Sequence, residues 1–356
     1  MTRGNKNCHL IHLIPYDGIG GVEIAARSVP TGCHGDLHFE RQYLVHAPGA
    51  VIERGEYHGP PISLNKPRAY WHALWRLYRD PPDVLVASLW RSAMILICLK
   101  ILRPGTRMVL FLHLAHDVHL VDKVANRIAM SLSDAIWADS CVTLQRRVPR
   151  RLQGWGRVVS FLLNRRSLPE LCDPAPKFIF WGRLNAQKGL DRALGLFAAV
   201  VQQRRDARFT IIGPDGGMED LLRAQVVELG LRDHVVFRGP MRHEDIVGEA
   251  LCASFYLQTS LDEGMAMSVV EAMQSGLVPV TTPVGEISRY CHDGDSAIFV
   301  HDDAAAVDAV LALLSDPDRY RRMSCAAAKY WQAKPLYRDD FLDAAKELIE
   351  GRAHAA

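Results

Sequence analysis

Short apolar runs alternate with helical stretches along the whole chain, and this alternation restricts the fold more than any single motif does. In the first half the expected strands are His9–Ile14, Phe39–His46, Val84–Ser88, Met108–Leu114, Ala135–Ala138 and Val158–Leu163. In the second half they are Lys177–Trp181, Arg208–Ile212, Val235–Arg238, Ser254–Gln258, Val278–Thr281 and Ala297–Val300. Several are continuous apolar runs, the pattern of parallel strands covered on both faces. Helical patterns lie between them, as over Leu190–Arg204 and Asp220–Leu229. The order predicts an α/β protein with doubly wound parallel sheets. At 356 residues, 49% hydrophobic and 23% charged, the chain is long enough for two such domains.

The alternation restarts near Pro169–Pro176, a Pro-rich stretch without apolar periodicity that reads as a linker. The expected division is residues 1–168, residues 169–335, and a tail, 336–356, whose helix at about Leu336–Glu350 packs back on the first domain. A site shared by two such domains would lie at the carboxyl ends of their strands.

Net charge is only +2, yet residues 1–165 hold 21 Lys and Arg against 12 Asp and Glu. A basic first half suggests an anionic partner, a membrane surface or a phosphorylated acceptor; chance segregation of solvated charge is the bland alternative. The eight Cys include no C-x-x-C pair, and most sit in apolar runs, so they read as buried free thiols of a reducing cytoplasm. The polar start, Thr2 to Asn7, does not read as a signal peptide, and the longest apolar run, Ala93 to Leu102, is interrupted by Lys100 and too short to span a bilayer.

Five segments carry chemistry. Gly18-Ile19-Gly20-Gly21-Val22-Glu23 follows the first strand and opens a helix, where glycines let backbone approach a ligand and the helix start favours anions. Glu23 stands where a dinucleotide fingerprint has its third Gly, so a tight turn or a donor or acceptor site is favoured over NAD binding. His113-Leu-Ala-His116-Asp117-Val-His119 ends the fourth strand. No metal is expected there, because no distant Cys/His pair supports the histidines; His113 lining a cleft is the preferred reading. Trp181 to Asp191 places Arg183 and Lys188 five apart on one loop, able to clamp a diphosphate, or simply a solvated turn.

The fourth segment, Glu263-Gly264-Met265-Ala266-Met267-Ser268-Val269-Val270-Glu271, puts two carboxylates around a turn that opens a helix. Its N–H groups suit a phosphate, and its carboxylates suit hydroxyls. Ser268-x-x-Glu271 also matches a capping box, which would make Glu271 purely structural. Thr281-Thr282-Pro283-Val284-Gly285-Glu286, the fifth, supplies another loop at the same sheet edge.

In this order these segments resemble the retaining glycosyltransferase family 4. The likeness rests on Gly20-Gly21-Val22-Glu23, Gly182-Arg183-Leu184 with Lys188-Gly189, and Glu263 to Glu271 as an E-x7-E motif followed by Ala272-Met273, Gly276, Pro279-Val280 and Val284-Gly285. It is strong over about 175–300 and looser over 8–165. The resemblance implies the GT-B fold, two Rossmann-like domains facing across a cleft. It implies that Arg183 and Lys188 bind the donor diphosphate and stabilise the leaving nucleoside diphosphate. Glu263 would contact the donor sugar, the amides of Gly264, Met265, Ala266, Met267 and Ser268 would hold hydroxyls and phosphate, and Glu271 would accept from the ribose. The Gly20-Gly21 loop would face the diphosphate or acceptor, and His113 the transferred sugar. Main-chain groups near Phe237-Arg238-Gly239 would read the base. No metal or cofactor is implied. Met265 in place of the frequent Phe, and Gly285-Glu286 in place of paired glycines, bear on sugar choice.

The expected activity is retaining transfer of a hexose from a UDP- or GDP-sugar to a glycan or lipid-linked glycan, of the kind that assembles bacterial surface polysaccharide, lipopolysaccharide or glycolipid. No nucleic-acid partner is expected. A GT-B-fold sugar-nucleotide epimerase and a catalytically silent glycan- or nucleotide-binding subunit are the alternatives. Tyr70 to Arg79, aromatic and basic, and the cluster Arg146-Arg147-Val148-Pro149-Arg150-Arg151 with Trp155 suit an anionic bilayer interface on the inner face of the plasma membrane. Alternatively, Trp71, Leu74, Trp75 and Tyr78 form one buried helical stripe.

Overall fold

The computed structural model describes residues 8–18, 20–47, 52–170 and 172–351; Ile19 of the first glycine segment and Leu171 of the Pro-rich stretch lie outside them. The chain forms two compact units, Met1–Leu163 with Pro335–Ala356, and Asn164–Lys334.

In the first unit the strands are β1 (Cys8–Ile14), β2 (Gly32–His34), β3 (Leu37–Tyr43), β4 (Glu56–His58), β5 (Val84–Ser88), β6 (Arg107–Leu112), β7 (Ala135–Ala138) and β8 (Gly156–Val158). Its helices are α1 (Gly21–Ser28), α2 (Pro67–Arg79), α3 (Leu89–Leu102), α4 (Leu120–Leu132) and α5 (Cys141–Arg147), with the chain's last helix, Tyr337–Ile349, belonging to the same unit. The sheet runs β2-β3-β1-β5-β6-β7-β8, with β4 beside β3. All its pairings are parallel except β2 with β3. Full burial of β5 and β7 explains their unbroken apolar sequences.

The second unit carries β9 (Lys177–Trp181), β10 (Arg208–Ile212), β11 (Val235–Gly239), β12 (Phe255–Gln258), β13 (Val278–Thr281) and β14 (Ile298–Phe299). Its helices are α6 (Leu190–Gln203), α7 (Glu219–Glu228), α8 (His243–Ala250), α9 (Met267–Gln274), α10 (Ile287–Tyr290), α11 (Asp303–Ser315) and α12 (Pro317–Gln332). Its sheet is parallel in the order β11-β10-β9-β12-β13-β14. The chain's last helix, Tyr337–Ile349, is α13.

Both sheets reverse their winding once, between β1 and β5 in the first unit and between β9 and β12 in the second. Such switch points open a crevice at the carboxyl ends of the strands. The segments singled out in the sequence emerge there: the glycine loop from β1, His113 from β6, Arg183 and Lys188 from β9, and Glu263 from β12.

Several expectations need correction. The strand expected at Val158–Leu163 is Gly156–Val158, and only Ile298–Phe299 of Ala297–Val300 pairs as a strand. Of the eight Cys only Cys291 is buried; Cys33, Cys98, Cys172 and Cys252 are exposed, Cys33 and Cys172 lying in polar, Gly- or Pro-flanked segments rather than apolar runs. The α2 stripe is not buried as a unit: small Ala69 and Ala73 with Leu77 pack inward, half-buried Leu74 packs against the core, and Trp71, Trp75 and Tyr78 are exposed. Among the described residues no helix is long and apolar enough to cross a membrane.

Helix α13 is part of the core of its unit. Phe341 is fully buried, with ring centroids 5.1 Å from His12, 5.7 Å from Phe39 and 5.3 Å from Trp137. Tyr337 N–H donates to the Leu162 carbonyl, and Asp340 takes the Ser160 N–H and the Arg157 guanidinium. Truncating a buried Phe costs about 3–5 kcal/mol. Phe341→Ala is therefore expected to lower the urea unfolding free energy of the first unit by about that amount, whereas Arg338→Ala, on the exposed face of the helix, leaves it nearly unchanged.

Candidate functional site

In the second unit, two loops at the carboxyl edge are stitched together. The loop after β9 passes through a single 3-10 turn, Ala186–Lys188, into α6. The loop after β12 runs from Thr259 to Ala266 into α9. Leu261 N–H donates to the Gln187 carbonyl at 2.8 Å, Gln187 Nε2 to the Asp262 carbonyl at 2.8 Å, and Thr259 Oγ1 to the Gly189 carbonyl. Gly189 has φ +62, and a Cβ there would lie 2.0 Å from the Thr259 carbonyl oxygen. Only glycine permits that approach.

The stitching brings Lys188 onto Glu263, with Nζ 2.7 Å from Oε1. The same carboxylate oxygen accepts from Ser260 Oγ at 2.7 Å and from Gln258 Nε2 at 2.9 Å. Glu263 is only 5% exposed, so three donors on one oxygen compensate its burial. Its second oxygen, Oε2, has no hydrogen bond among the described residues. Fully buried Gln258 is the hinge of this network, because its Oε1 accepts from Tyr256 OH at 2.7 Å and from Ser268 Oγ at 3.2 Å.

Helix α9 begins abnormally. Its N-cap, Ala266, is left-handed at φ 53, and no side chain caps the helix. Tyr290 OH donates to the Met265 carbonyl at 2.9 Å, and Glu286 N–H to the Gly264 carbonyl at 3.1 Å. Gly285, at φ +57, lies so close behind that a Cβ would be 2.0 Å from the Glu263 carbonyl oxygen. With these carbonyls drawn inward, the opposed N–H groups face outward. Gly264, Met265, Ala266, Met267 and Ser268 donate no backbone hydrogen bond among the described residues.

The capping-box expectation is thereby overturned. The helix starts before Ser268, whose hydroxyl turns to Gln258, and Glu271 Oε2 instead accepts from Trp181 Nε1 at 2.9 Å. Arg183 is exposed and forms no ion pair among the described residues. Arg238, the last but one residue of β11, turns its side chain toward Glu249, 3.5 Å away, and joins none of these contacts. Gln258, Ser260 and Trp181 were not singled out from the sequence; a Gln inside the buried run Phe255-Tyr256-Leu257-Gln258 was the available signal. Arg166 was missed as well. Its guanidinium reaches Ser275 Oγ, burial lowers its pKa, and the nearby Glu271 charge opposes that shift.

In the first unit, Gly20 is the N-cap and Gly21 the first residue of α1. Buried Glu23 follows them, and desolvation raises its carboxyl above the ordinary value. His113 sits just beyond β6, and its Nε2 is 2.9 Å from Ser88 Oγ, which lies 2.8 Å from His12 Nε2. Burial pulls His113 down to about 3 and His12 well below its ordinary value, so both rings are neutral at pH 7. One serine proton cannot be given to both rings, so at least one imidazole donates to Ser88 Oγ. The next residue, Leu89, is left-handed at φ 67. A cavity of about 230 Å³ opens beside it, lined by Tyr16, Trp90, Arg91, His113 and Val118 among others. His119 caps α4, its Nδ1 accepting from the Asp122 N–H. Among the described residues no three His, Cys, Asp or Glu side chains form a metal-binding group.

Residues 169–330 match the family described as "Glycosyl transferases group 1". GDP-mannose:cellobiosyl-diphosphopolyprenol alpha-mannosyltransferase of Xanthomonas oryzae pv. oryzae (strain PXO99A) is 29% identical over 181 residues, 48% of this chain and 48% of that protein. D-inositol 3-phosphate glycosyltransferase of Arthrobacter sp. (strain FB24) is 32% identical over 175 residues, 47% of this chain and 41% of that protein. The chain thus spans less than half the length of these curated relatives. Anabaena HepE, solved with UDP and glucose, superposes with a TM-score of 0.74 at 14% identity, covering 96% of this chain and all of that one (100%). Sucrose-phosphate synthase from Thermosynechococcus elongatus gives 0.74 at 16% identity, covering 98% and 100%.

The buried imidazoles have a measurable consequence. A His whose pKa falls on folding binds fewer protons folded than unfolded, so stability is complete above about pH 6.5 and declines as pH falls toward 3. The slope reaches about 1.4 kcal/mol per pH unit for each such His. The unfolding free energy of the first unit is therefore expected to fall between pH 7 and pH 5, and His113→Gln to show a shallower fall. Parallel pH profiles for the two proteins would refute the buried neutral state.

Proposed function

Since residues 169–330 match the family described as "Glycosyl transferases group 1", we propose that the chain is a retaining, metal-independent glycosyltransferase. It moves a hexose from a UDP- or GDP-sugar to a hydroxyl of a glycan or lipid-linked glycan, in surface polysaccharide, lipopolysaccharide or glycolipid assembly. The observation that carries this reading is the run of five unpartnered N–H groups at 264–268, next to Glu263 and the Lys188 ammonium bonded to it. A helix start with free N–H groups and adjacent cations is a diphosphate site.

Each side chain then has a chemical task. Lys188 has three N–H donors and gives one to Glu263, leaving two for phosphate oxygens. Glu263 keeps Oε2 for a hydroxyl of the donor sugar while Oε1 is saturated by protein donors. Glu271 is held through Oε2 by Trp181 and offers Oε1 to the ribose. The base lies against main-chain groups near Phe237-Arg238-Gly239. In the first unit, Gly20 and Gly21 face the diphosphate or the acceptor. Burial holds His113 down to about 3, so its ring is too weak a base to take the acceptor proton and serves as a hydrogen-bonding group for the transferred sugar.

The bond from C1 of the sugar to the phosphate oxygen breaks as the acceptor oxygen bonds to C1 on the same face. The acceptor proton passes to the departing phosphate, whose charge Arg183, Lys188 and the α9 start stabilise. HepE was solved with UDP and glucose, and the Xanthomonas relative is named for GDP-mannose, so either nucleotide suits this reading. The first domain, with the tail helix, binds the acceptor and the second the donor. The enzyme works in the cytoplasm and touches the anionic inner face of the plasma membrane.

Lys188→Ala is expected to lower turnover about 10²–10³-fold, as loss of one preorganised donor does, while shifting the melting temperature by only a few degrees. Release of nucleoside diphosphate with acceptor present measures it. Wild-type turnover in the variant would remove Lys188 from the mechanism, donor consumption without acceptor would point to an epimerase, and donor binding without release to a silent subunit. A thermal-shift screen of UDP-, GDP- and ADP-sugars identifies the base, with stabilisation of about 2.7 kcal/mol at a hundredfold excess over Kd.

A further inference from the structure

Helices α2, α3 and α4 pack side by side in the first unit, α2 on α3 and α3 on α4. Each turns an apolar stripe to solvent. On α2 it is Trp71, 69% exposed, with Trp75 and Tyr78. On α3 it is Met94, Ile101, 71% exposed, and Leu102. On α4 it is Leu120, 73% exposed, with Val121, Val124 and Ile128. The spacings within each stripe are helical, so each forms one outward face.

The charges on these helices have one sign. Neither α2 nor α3 contains an Asp or Glu, and the single acid of α4, Asp122, is buried and bonded to Asn126 and the Val118 N–H. Arg76, Arg91 and Lys100 have protein partners. Arg68, Lys123 and Arg127 are exposed without an ion pair among the described residues, and Arg79 lies over the Trp75 ring at 4.8 Å. The expected cluster at 146–151 contributes less than its sequence suggests. Buried Arg147 bonds the Leu114 and His116 carbonyls and pairs with Asp117 at 2.8 Å, fixing the loop after β6.

We infer that the outer face of α2, α3 and α4 docks on an anionic phospholipid bilayer, its apolar stripes entering the interface and its interleaved cations meeting the headgroups. The inference deepens the membrane contact of the proposed function, yet rests on surface chemistry alone. Charge selects a bilayer over a second copy of the chain: a two-fold dimer through this face would set cations against cations with no exposed helix carboxylate to pair them. The same face carries acceptor chemistry toward the cavity, because Val118, which lines the cavity, and Leu120, which opens the α4 stripe, are two residues apart. A lipid-linked acceptor anchored in the bilayer would thus present its glycan at the cavity beside His113.

The test uses the full chain and vesicles of phosphatidylcholine with or without phosphatidylglycerol. The expected result is salt-sensitive flotation with the mixed vesicles, at least about tenfold weaker on phosphatidylcholine alone. Lys123→Glu with Arg127→Glu is expected to weaken flotation by about tenfold or more, and Trp71→Ser with Trp75→Ser to remove the vesicle-induced blue shift of tryptophan emission. These side chains are exposed, so circular dichroism should be unchanged in both variants. Absence of salt-sensitive binding, or unaltered binding of both variants, overturns the inference. So does a dimer in sedimentation without lipid that the same substitutions dissociate, which would make the face a copy interface. Nucleotide thermal shifts on the same variants report on the transferase reading separately, since none of these residues touches the donor loops.

Discussion

The left-handed turn at Ala266 is the constraint on which the second unit's site depends. A Cβ-bearing residue in that region costs of order 1–3 kcal/mol and persists only where its surroundings hold it. Here the Tyr290 hydroxyl holds the Met265 carbonyl, the Glu286 N–H holds the Gly264 carbonyl, and Gly285 leaves room for the Glu263 backbone to pass. The turn reverses the peptides of 264–266, so that carbonyls satisfy the protein and N–H groups do not. Had α9 begun with an ordinary Ser or Asp cap, that side chain would have occupied one of these donors. The open helix start is therefore built from behind, by Tyr290, Gly285 and Glu286.

The first unit repeats the device with other parts. Leu89, directly after β5, is the other non-glycine residue with positive φ among the described residues. It follows Ser88, the hydroxyl shared by His12 and His113. Both strained residues leave the strand next to a switch point, where the sheet has no helix to cover its carboxyl edge. The buried imidazoles and the strained turn are both costs that a fold selected for stability alone would shed. His12 is held under the α13 ring Phe341, so the tail helix reaches the histidine pair through packing alone.

Much of this was legible from residues close in sequence. Strands β5, β7, β9, β10 and β13 have the bounds their apolar runs indicate, because a parallel strand buried on both faces writes itself as such a run. The three-residue strands β2 and β4 carry no period to detect. The segments that line the carboxyl edges were also legible, since each joins a strand to a helix. Partnerships across the fold were not. Gln258 with Ser268, Trp181 with Glu271, and Arg147 with the 114–117 loop join residues up to 90 positions apart, and local patterns hold no record of them. The Ser268-x-x-Glu271 pattern misled for the same reason: a local match competes with a non-local acceptor, and the buried Gln258 won.

Helix α2 shows why sequence periodicity alone left its orientation open. Its aromatic stripe and its Ala69, Ala73, Leu77 stripe each have helical spacing, and the larger apolar residues would ordinarily be inside. The structure takes the small face inward, where Ala lets the helix approach its neighbours closely, and leaves two Trp and one Tyr in water. At about 25 cal/mol per Å² of apolar surface, leaving such rings exposed forgoes several kcal/mol of burial. The neighbouring α3 and α4 also leave large apolar side chains exposed, and none of the three exposes a carboxylate. Three adjacent helices that all leave apolar stripes in water, two of them with exposed cations and none with an exposed carboxylate, are better explained by a surface they all meet than by three separate failures to pack.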